Sequence, residues 1–448
     1  MHEESDPNHF LKKLIWICFF LWAFEGALRK WFLPFLSTPL LIVRDPIVLW
    51  LVILSIRRGL LKANIYLTGM VILGIVSFFT AIFFAHGNIY VAVYGVRPML
   101  LYFPLVFITG RVFNREDVIQ MGKAILIISI PMTILLVLQF YSPQSAWVNR
   151  GVGGDESGAG FGGAMGFLRP PGTFSFTNGI AFFYSMAAPF ILFFWFHPHY
   201  INKKVQILAT FALVVAIPIS ISRGLFFQVA VSIIFLLIWI SRKPQYFGKI
   251  FLSGFILAVI LTLFGNFSFF NTATDAFSSR FENANRTEGG LVQGVLGNRF
   301  LGSLIKGITG TADQPILGYG AGIGTSLGLL LLNDDRVLLK ADFEWMRQIG
   351  ELGIMGLFVI ALRVGLAAKI GIASYQKMKR NDVLPWLITS VAIVTVIQGQ
   401  WHQPTALGFF ALIGGLLLAS LKTPKRIETN IEPVSQETVT LVSSDTHR

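Results

Sequence analysis

Residues 65–85 read IYLTGMVILGIVSFFTAIFFA, and none of them is charged. A helix that crosses the hydrocarbon core of a bilayer needs about 20 mostly apolar residues. This stretch meets that length without a polar interruption, so it predicts a membrane-spanning helix. Working outward, the same signature recurs along the chain. The predicted spans are 14–35, 40–56, 65–85, 90–110, 124–141, 174–196, 205–221, 224–240, 250–267, 349–370, 384–400 and 405–421, twelve in all. The seventh and eighth form one apolar run broken by Ser222-Arg223-Gly224, which predicts a tight turn at the membrane face because a guanidinium in lipid is costly.

Composition agrees. Of the 448 residues, 54% are hydrophobic and 13% charged, with a mean hydropathy of +0.67. A soluble domain carries about 25% charge. A soluble globule is thereby excluded, and so is a disordered chain, which needs low hydrophobicity. The net charge is 36 − 23 = +13. In a membrane protein such an excess reflects Lys and Arg in cytoplasmic loops, so no nucleic-acid partner is implied. Cys18 is the single cysteine, which rules out an intramolecular disulfide and a cysteine metal site. There is no HExxH and no His pair at helical spacing, so no metal and no cofactor is expected. The expected fold class is an all-α polytopic membrane protein.

Lys/Arg placement sets the orientation. With the N-terminus inside, the inner segments hold Lys12/Lys13, Arg57/Arg58/Lys62, Arg111/Arg115, Lys203/Lys204, Arg242/Lys243/Lys249, Lys377/Lys379/Arg380 and Lys422/Lys425/Arg426. Outer turns such as His86-Gly87-Asn88 hold none. This is a positive-inside pattern, and an even span count puts both termini in the cytoplasm. Glu25, Arg29, Lys30 and Trp31 stand where a signal peptide would place small residues for cleavage, so the first span is expected to persist. Residues 1–426 are read as one transmembrane domain carrying a large extracytoplasmic loop, 271–348. Its apolar periodicity suggests short amphipathic helices on the outer face. Residues 427–448 read as a disordered cytoplasmic tail.

The outer half carries arginines that this rule leaves unexplained: Arg29, Arg97, Arg150, Arg169, Arg223, Arg280, Arg286, Arg299, Arg336 and Arg347. A guanidinium pairs bidentately with phosphate, so several around an outer cavity suit a lipid diphosphate. Loop arginines also serve as interface anchors. For Arg97 and Arg223, at or within apolar spans, function is the stronger reading. Arg44-Asp45 reads either as a neutralising pair or as part of a site. Before the tenth span, Glu344, Arg347 and Glu351 share one helical face. That face is either an ion-pair stripe or the seat of a general base, since a desolvated carboxylate has a raised pKa. Asp342 lies beside it, and His402 at a later outer turn is a further candidate base. The glycines of 318–324 lack the Lys-Ser/Thr of a nucleotide loop and point to a tight turn or close backbone packing.

Four ordered patterns resemble the O-antigen ligase and O-antigen polymerase superfamily. Arg169-Pro170-Pro171-Gly172-Thr173-Phe174 through Asn178 is similar to its R-x-x-G-T-F-x-x-x-N. Ser222-Arg223-Gly224 is similar to its S-R-G. Pro315 through Gly322 is similar to P-x-x-G-x-G-x-G, and Glu351-Leu352-Gly353-Ile354-Met355-Gly356 to E-x-G-x-x-G. The resemblance covers roughly residues 90–420. It implies a metal-independent membrane glycosyltransferase that takes an undecaprenyl-diphosphate-linked glycan on the outer face of the bacterial inner membrane and transfers it to a glycan or lipid-glycan acceptor. Partners would include membrane lipids and polysaccharide export or chain-length proteins. By the resemblance, Arg223 holds the diphosphate, with Arg97 and Arg169. The ligases place a His-Asn pair nine residues before Glu-x-Gly. Here that position is Asp342-Phe343, and the large loop has no His. A carboxylate, Glu344 or Asp342, would then activate the acceptor with Arg347 beside it, which favours the polymerase-like or exopolysaccharide branch over a lipid A ligase. The competing reading is a lipid-linked oligosaccharide flippase or transporter, which would show matching repeat halves; none is seen.

Overall fold

The computed structural model describes residues 6–243, 268–288, 315–332 and 344–422, with a few isolated positions between them. Helices dominate it, and no strand is named among the described residues. In chain order they are α1 His9–Ala27, α2 Arg44–Arg57, α3 Ile65–Phe83, α4 Ile89–Val112, α5 Arg115–Tyr141, α6 Thr177–Phe196, α7 Lys203–Ile219 and α8 Arg223–Ile240. Then follow α9 Ser268–Glu288, α10 Ser326–Leu332, α11 Glu344–Leu352, α12 Ile354–Lys379, α13 Val383–Gln398 and α14 Pro404–Ser420. Seven helical segments are long and apolar enough to cross a membrane: Pro39–Arg57 (which runs into α2), α3, α4, α5, α6, α8 and α12. Helices α1, α7, α13 and α14 fall on four more of the twelve predicted spans but do not reach that length and apolarity. The ninth predicted span, 250–267, lies outside the described residues, as does the tail 427–448.

Polar residues set the helix starts. Asn64 accepts the Leu67 amide at α3, and Asn114 and Asp117 form a reciprocal capping box at α5. Ser222 accepts the Leu225 amide at α8. Just before it, Ile221 sits at φ +46, so the Ser222-Arg223-Gly224 turn is sharp, as the sequence predicts. The tenth predicted span is divided, however. Gly353 at φ +58 separates α11 from α12, and α12 then runs on to Lys379. Helix α4 contains a wide π-turn at Pro98–Tyr102, where a proline inside a helix removes a ladder hydrogen bond.

Outward-facing side chains are large and apolar: Phe79, Phe83, Ile134 and Ile234 are each more than half exposed. That suits lipid contact and is the reverse of a soluble surface. Inside, Trp22 stacks on Phe183 and Phe409, and Phe103 on Phe410. Helix α14 is buried almost throughout and packs on the second half of α4. Small residues permit this: a Cβ at Gly110 would stand 2.6 Å from the Leu418 Cβ, and one at Gly415 2.5 Å from that of Thr109. Close backbone approach of this kind drives helix association where no hydrophobic gradient exists.

Ion pairs gather the segments assigned to the inner face at one end of the bundle. Lys12 pairs with Asp117 at 2.7 Å, Arg115 with Asp382 at 2.6 Å, and Lys422 donates to the Arg111 and Phe113 carbonyls.

Candidate active-site cavity

Helix α11 carries the ladder read from its spacing. The Arg347 guanidinium donates to Glu344 at 2.8 and 3.3 Å and pairs with Glu351 at 2.7 Å. All three side chains are buried. Glu351 has a second set of partners, because its two carboxylate oxygens accept the Gly324 amide at 2.9 Å and the Gly322 amide at 3.3 Å. The Gly320 amide donates to the Glu351 carbonyl, and the Ile354 amide to the Ile316 carbonyl. The Gly-x-Gly stretch is therefore a clamp on the Glu-x-Gly stretch, not a nucleotide loop. Its glycines are required. Gly318, Gly320 and Gly322 all have positive φ, and a Cβ at Gly322 would strike the Val91 carbonyl and the backbone of Gly95 on α4. Gly322→Ala should lower stability by more than about 1 kcal/mol, read as thermal unfolding of the purified protein in detergent.

A second layer closes round Glu344. Gln348 donates to it at 2.8 Å, Arg363 approaches it at 3.4 Å, and His402 Nδ1 lies 3.3 Å away. Arg363 is fully buried on α12, donates to the Val396 and Gly399 carbonyls, and stacks over Trp401. Burial alone would raise the Glu344 pKa. The Arg347 guanidinium, the His402 hydrogen bond and Arg363 outweigh it and hold the carboxyl well below the usual carboxylate range. This corrects the expectation of a raised pKa: the carboxylate is desolvated but caged by cations.

Glu344 also lines a large cavity, about 570 Å³, together with Arg169, Arg223, Arg280, Asn178 and Gln398. That volume falls in the range of about 300–1,000 Å³ seen for small-molecule sites. Three arginines from separate parts of the chain thus face one carboxylate. Arg169 comes from the Gly-rich loop before α6, Arg223 from the turn opening α8, and Arg280 from α9, where it donates to the Gly163 carbonyl at 3.2 Å. Burial, then the fields of Arg280 and Arg223, push the Arg169 pKa down to about 10. Its Nε is buried without a hydrogen-bond partner among the described residues. A wall of crowded cations of this kind favours a multiply charged anion.

No protein-family model matches this chain, and no curated protein matches it. The cavity is therefore interpreted from its own chemistry.

Of the residues singled out in the sequence, Arg169, Arg223 and Glu344 meet in the cavity, with Arg347 directly behind Glu344. Asp342 lies outside the described residues. Arg97 is not among the cavity's lining residues. It pairs with Asp45 at 2.7 Å, stacks over Tyr94 at 3.6 Å, and lines a space of about 20 Å³ beside Arg347 and His402. That is room for about one water molecule. Nor do Arg44 and Asp45 bridge each other directly: Arg44 pairs with Glu25 at 3.3 Å, while Asp45 takes Arg97 and the Tyr102 hydroxyl. Arg363 escaped sequence reasoning, although an arginine within the apolar run of α12 is itself a signal. Arg280 stood among the unexplained arginines, with nothing in the sequence to distinguish it.

Proposed function

We propose that this protein is a membrane glycosyltransferase acting on a glycan linked to undecaprenyl diphosphate, at the outer face of a bacterial cytoplasmic membrane. It would cross that membrane in twelve spans with both termini inside. The observation that carries this reading is the convergence of Arg169, Arg223 and Arg280 with the caged carboxylate Glu344 on one cavity. A lipid diphosphate is a good leaving group when its developing charge is neutralised, and arginines supply that neutralisation. The resemblance in the four ordered motifs points to the same chemistry.

In glycosyl transfer the acceptor oxygen bonds to the anomeric carbon, and the C–O bond to the diphosphate breaks with its electron pair going to the phosphate. The transition state carries oxocarbenium-like positive charge on the sugar. A fixed, ionised Glu344 facing it is stabilising in that state. The acceptor's proton is lost late, from an oxonium far more acidic than any carboxylic acid, so a weakly basic carboxylate suffices to receive it. Arg347, Arg363 and His402 hold that carboxylate in place; Arg97, paired with Asp45, stands behind them and is not among the cavity's lining residues.

The test is reconstitution. Purified protein in nanodiscs, given only undecaprenyl-diphosphate-linked repeat units, should produce longer chains if it is a polymerase. A ligase leaves them unextended until a glycan or lipid-glycan acceptor is added. Absence of transfer under both conditions, with transbilayer movement of the lipid in vesicles, would establish the flippase reading instead.

A further inference from the structure

Two buried polar atoms on the cavity's lining residues lack a hydrogen-bond partner among the described residues, and they are of opposite kinds. Arg169 Nε is a donor, and Asn178 Oδ1 is an acceptor. Asn178 stands in the first turn of α6, and its amide nitrogen donates to the Gln403 side chain ahead of α14. That bond fixes the side chain so that the nitrogen is occupied and the oxygen is left over. A buried acceptor without a donor costs free energy, so such a group at a cavity wall is poised for a ligand that brings one. Among the described residues lining this cavity the caged Glu344 is the one carboxylate, and its oxygens are already engaged by Arg347, Gln348, Arg363 and His402.

We infer that Asn178 is a specificity-determining residue that reads a hydroxyl or amide N–H of the sugar attached directly to the diphosphate. A phosphate has only acceptors to offer and matches Arg169 Nε. A sugar supplies the donor that Asn178 Oδ1 requires. One ligand bearing both groups satisfies both atoms at once. This inference rests on the proposed glycosyltransferase reading, and it assigns the sugar end of the substrate to the α6–α14 side of the cavity.

The experiment measures binding to the full chain in nanodiscs with two probes: undecaprenyl diphosphate, and undecaprenyl diphosphate carrying one N-acetylhexosamine. Wild type should bind the sugar-bearing lipid more tightly than the bare one. Asn178→Leu, which keeps the size and removes the acceptor, should bind the bare lipid as wild type does and lose about tenfold to a hundredfold on the sugar-bearing lipid. Unchanged binding of the bare lipid also shows that the variant is folded. Asn178→Asp keeps an acceptor at that position but gives up the donor to Gln403 and adds a negative charge, so it should bind both lipids more weakly while retaining most of the sugar-dependent gain. In the Leu variant, equal losses on both probes or no loss on either would overturn the assignment, as would an Asp variant whose sugar-dependent gain is smaller than that of the Leu variant. Failure of wild type to bind either lipid would overturn the glycosyltransferase reading, and this inference with it.

Discussion

Glu344→Gln should cost the protein both its stability and its turnover. The substitution leaves the buried Arg363 without its carboxylate, while Arg347 keeps Glu351 alone. Removing one partner of a buried ion pair costs about 3–5 kcal/mol, because the remaining charge is stranded out of water. Glycan transfer should fall about 10²–10⁴-fold, the usual contribution of a group that handles a proton in the transition state. The two losses have different origins and can be separated. Thermal unfolding in detergent reads the first, and turnover measured well below the midpoint reads the second. A carboxylate that served only as a base would leave the unfolding midpoint unmoved. Normal transfer by a destabilised Gln variant would reduce Glu344 to an ion-pair anchor and turn attention to His402, whose Nδ1 lies 3.3 Å from it.

Arg223→Ala is expected to be the next most damaging change at the cavity. Loss of one donor to a developing oxyanion typically costs about 10²–10³-fold in turnover. Arg223→Lys should recover little of it, since an ammonium cannot form the bidentate pair a diphosphate invites. Quantifying membrane-inserted protein beside glycan product keeps the comparison fair. Arg169 and Arg280 face the same cavity, so each taken singly should have a smaller effect. Polymer of normal length and yield from the Ala variant would reduce Arg223 to an interface anchor at the start of α8.

Much of the architecture is legible in one sequence because lipid imposes length. Residues 65–85 predict a span, and α3 occupies Ile65–Phe83. The prediction of 384–400 likewise meets α13 at Val383–Gln398. The ion-pair ladder on α11 was also readable, since it depends only on spacings of three and four. What could not be read depends on partners far apart in the chain. Asp45 lies 52 residues from Arg97, and Glu344 lies 58 from His402. No local pattern reports such pairings, so the two readings left open for Arg44-Asp45 could not be decided from the sequence, and each residue bridges to another partner. The Glu344 pKa expectation failed partly for the same reason: Arg347 stands three residues away, but His402 and Arg363, which join it in reversing the effect of desolvation, lie 58 and 19 residues off. The division at Gly353 was missed because hydropathy averages over a residue whose backbone conformation decides the break.

The π-turn at Pro98–Tyr102 works as a vernier between the two halves of α4. In a regular helix, side chains five positions apart point about 140° away from each other, at about 3.6 residues per turn. A π-turn, with its i→i+5 bonding, winds more slowly and brings positions five apart to nearly the same heading. That is how Arg97 and Tyr102 reach the two oxygens of one carboxylate, Asp45, at 2.7 and 2.6 Å. Winding the same residues as regular helix, with none removed, would send Phe103–Val112 round by about 100°, swinging Gly110 and Thr109 off the face where α14 lies. The winding of this segment is thus as tightly set as any side chain in it, and the wide turn is what lets one residue more than a regular helix would hold fit between two halves kept in register.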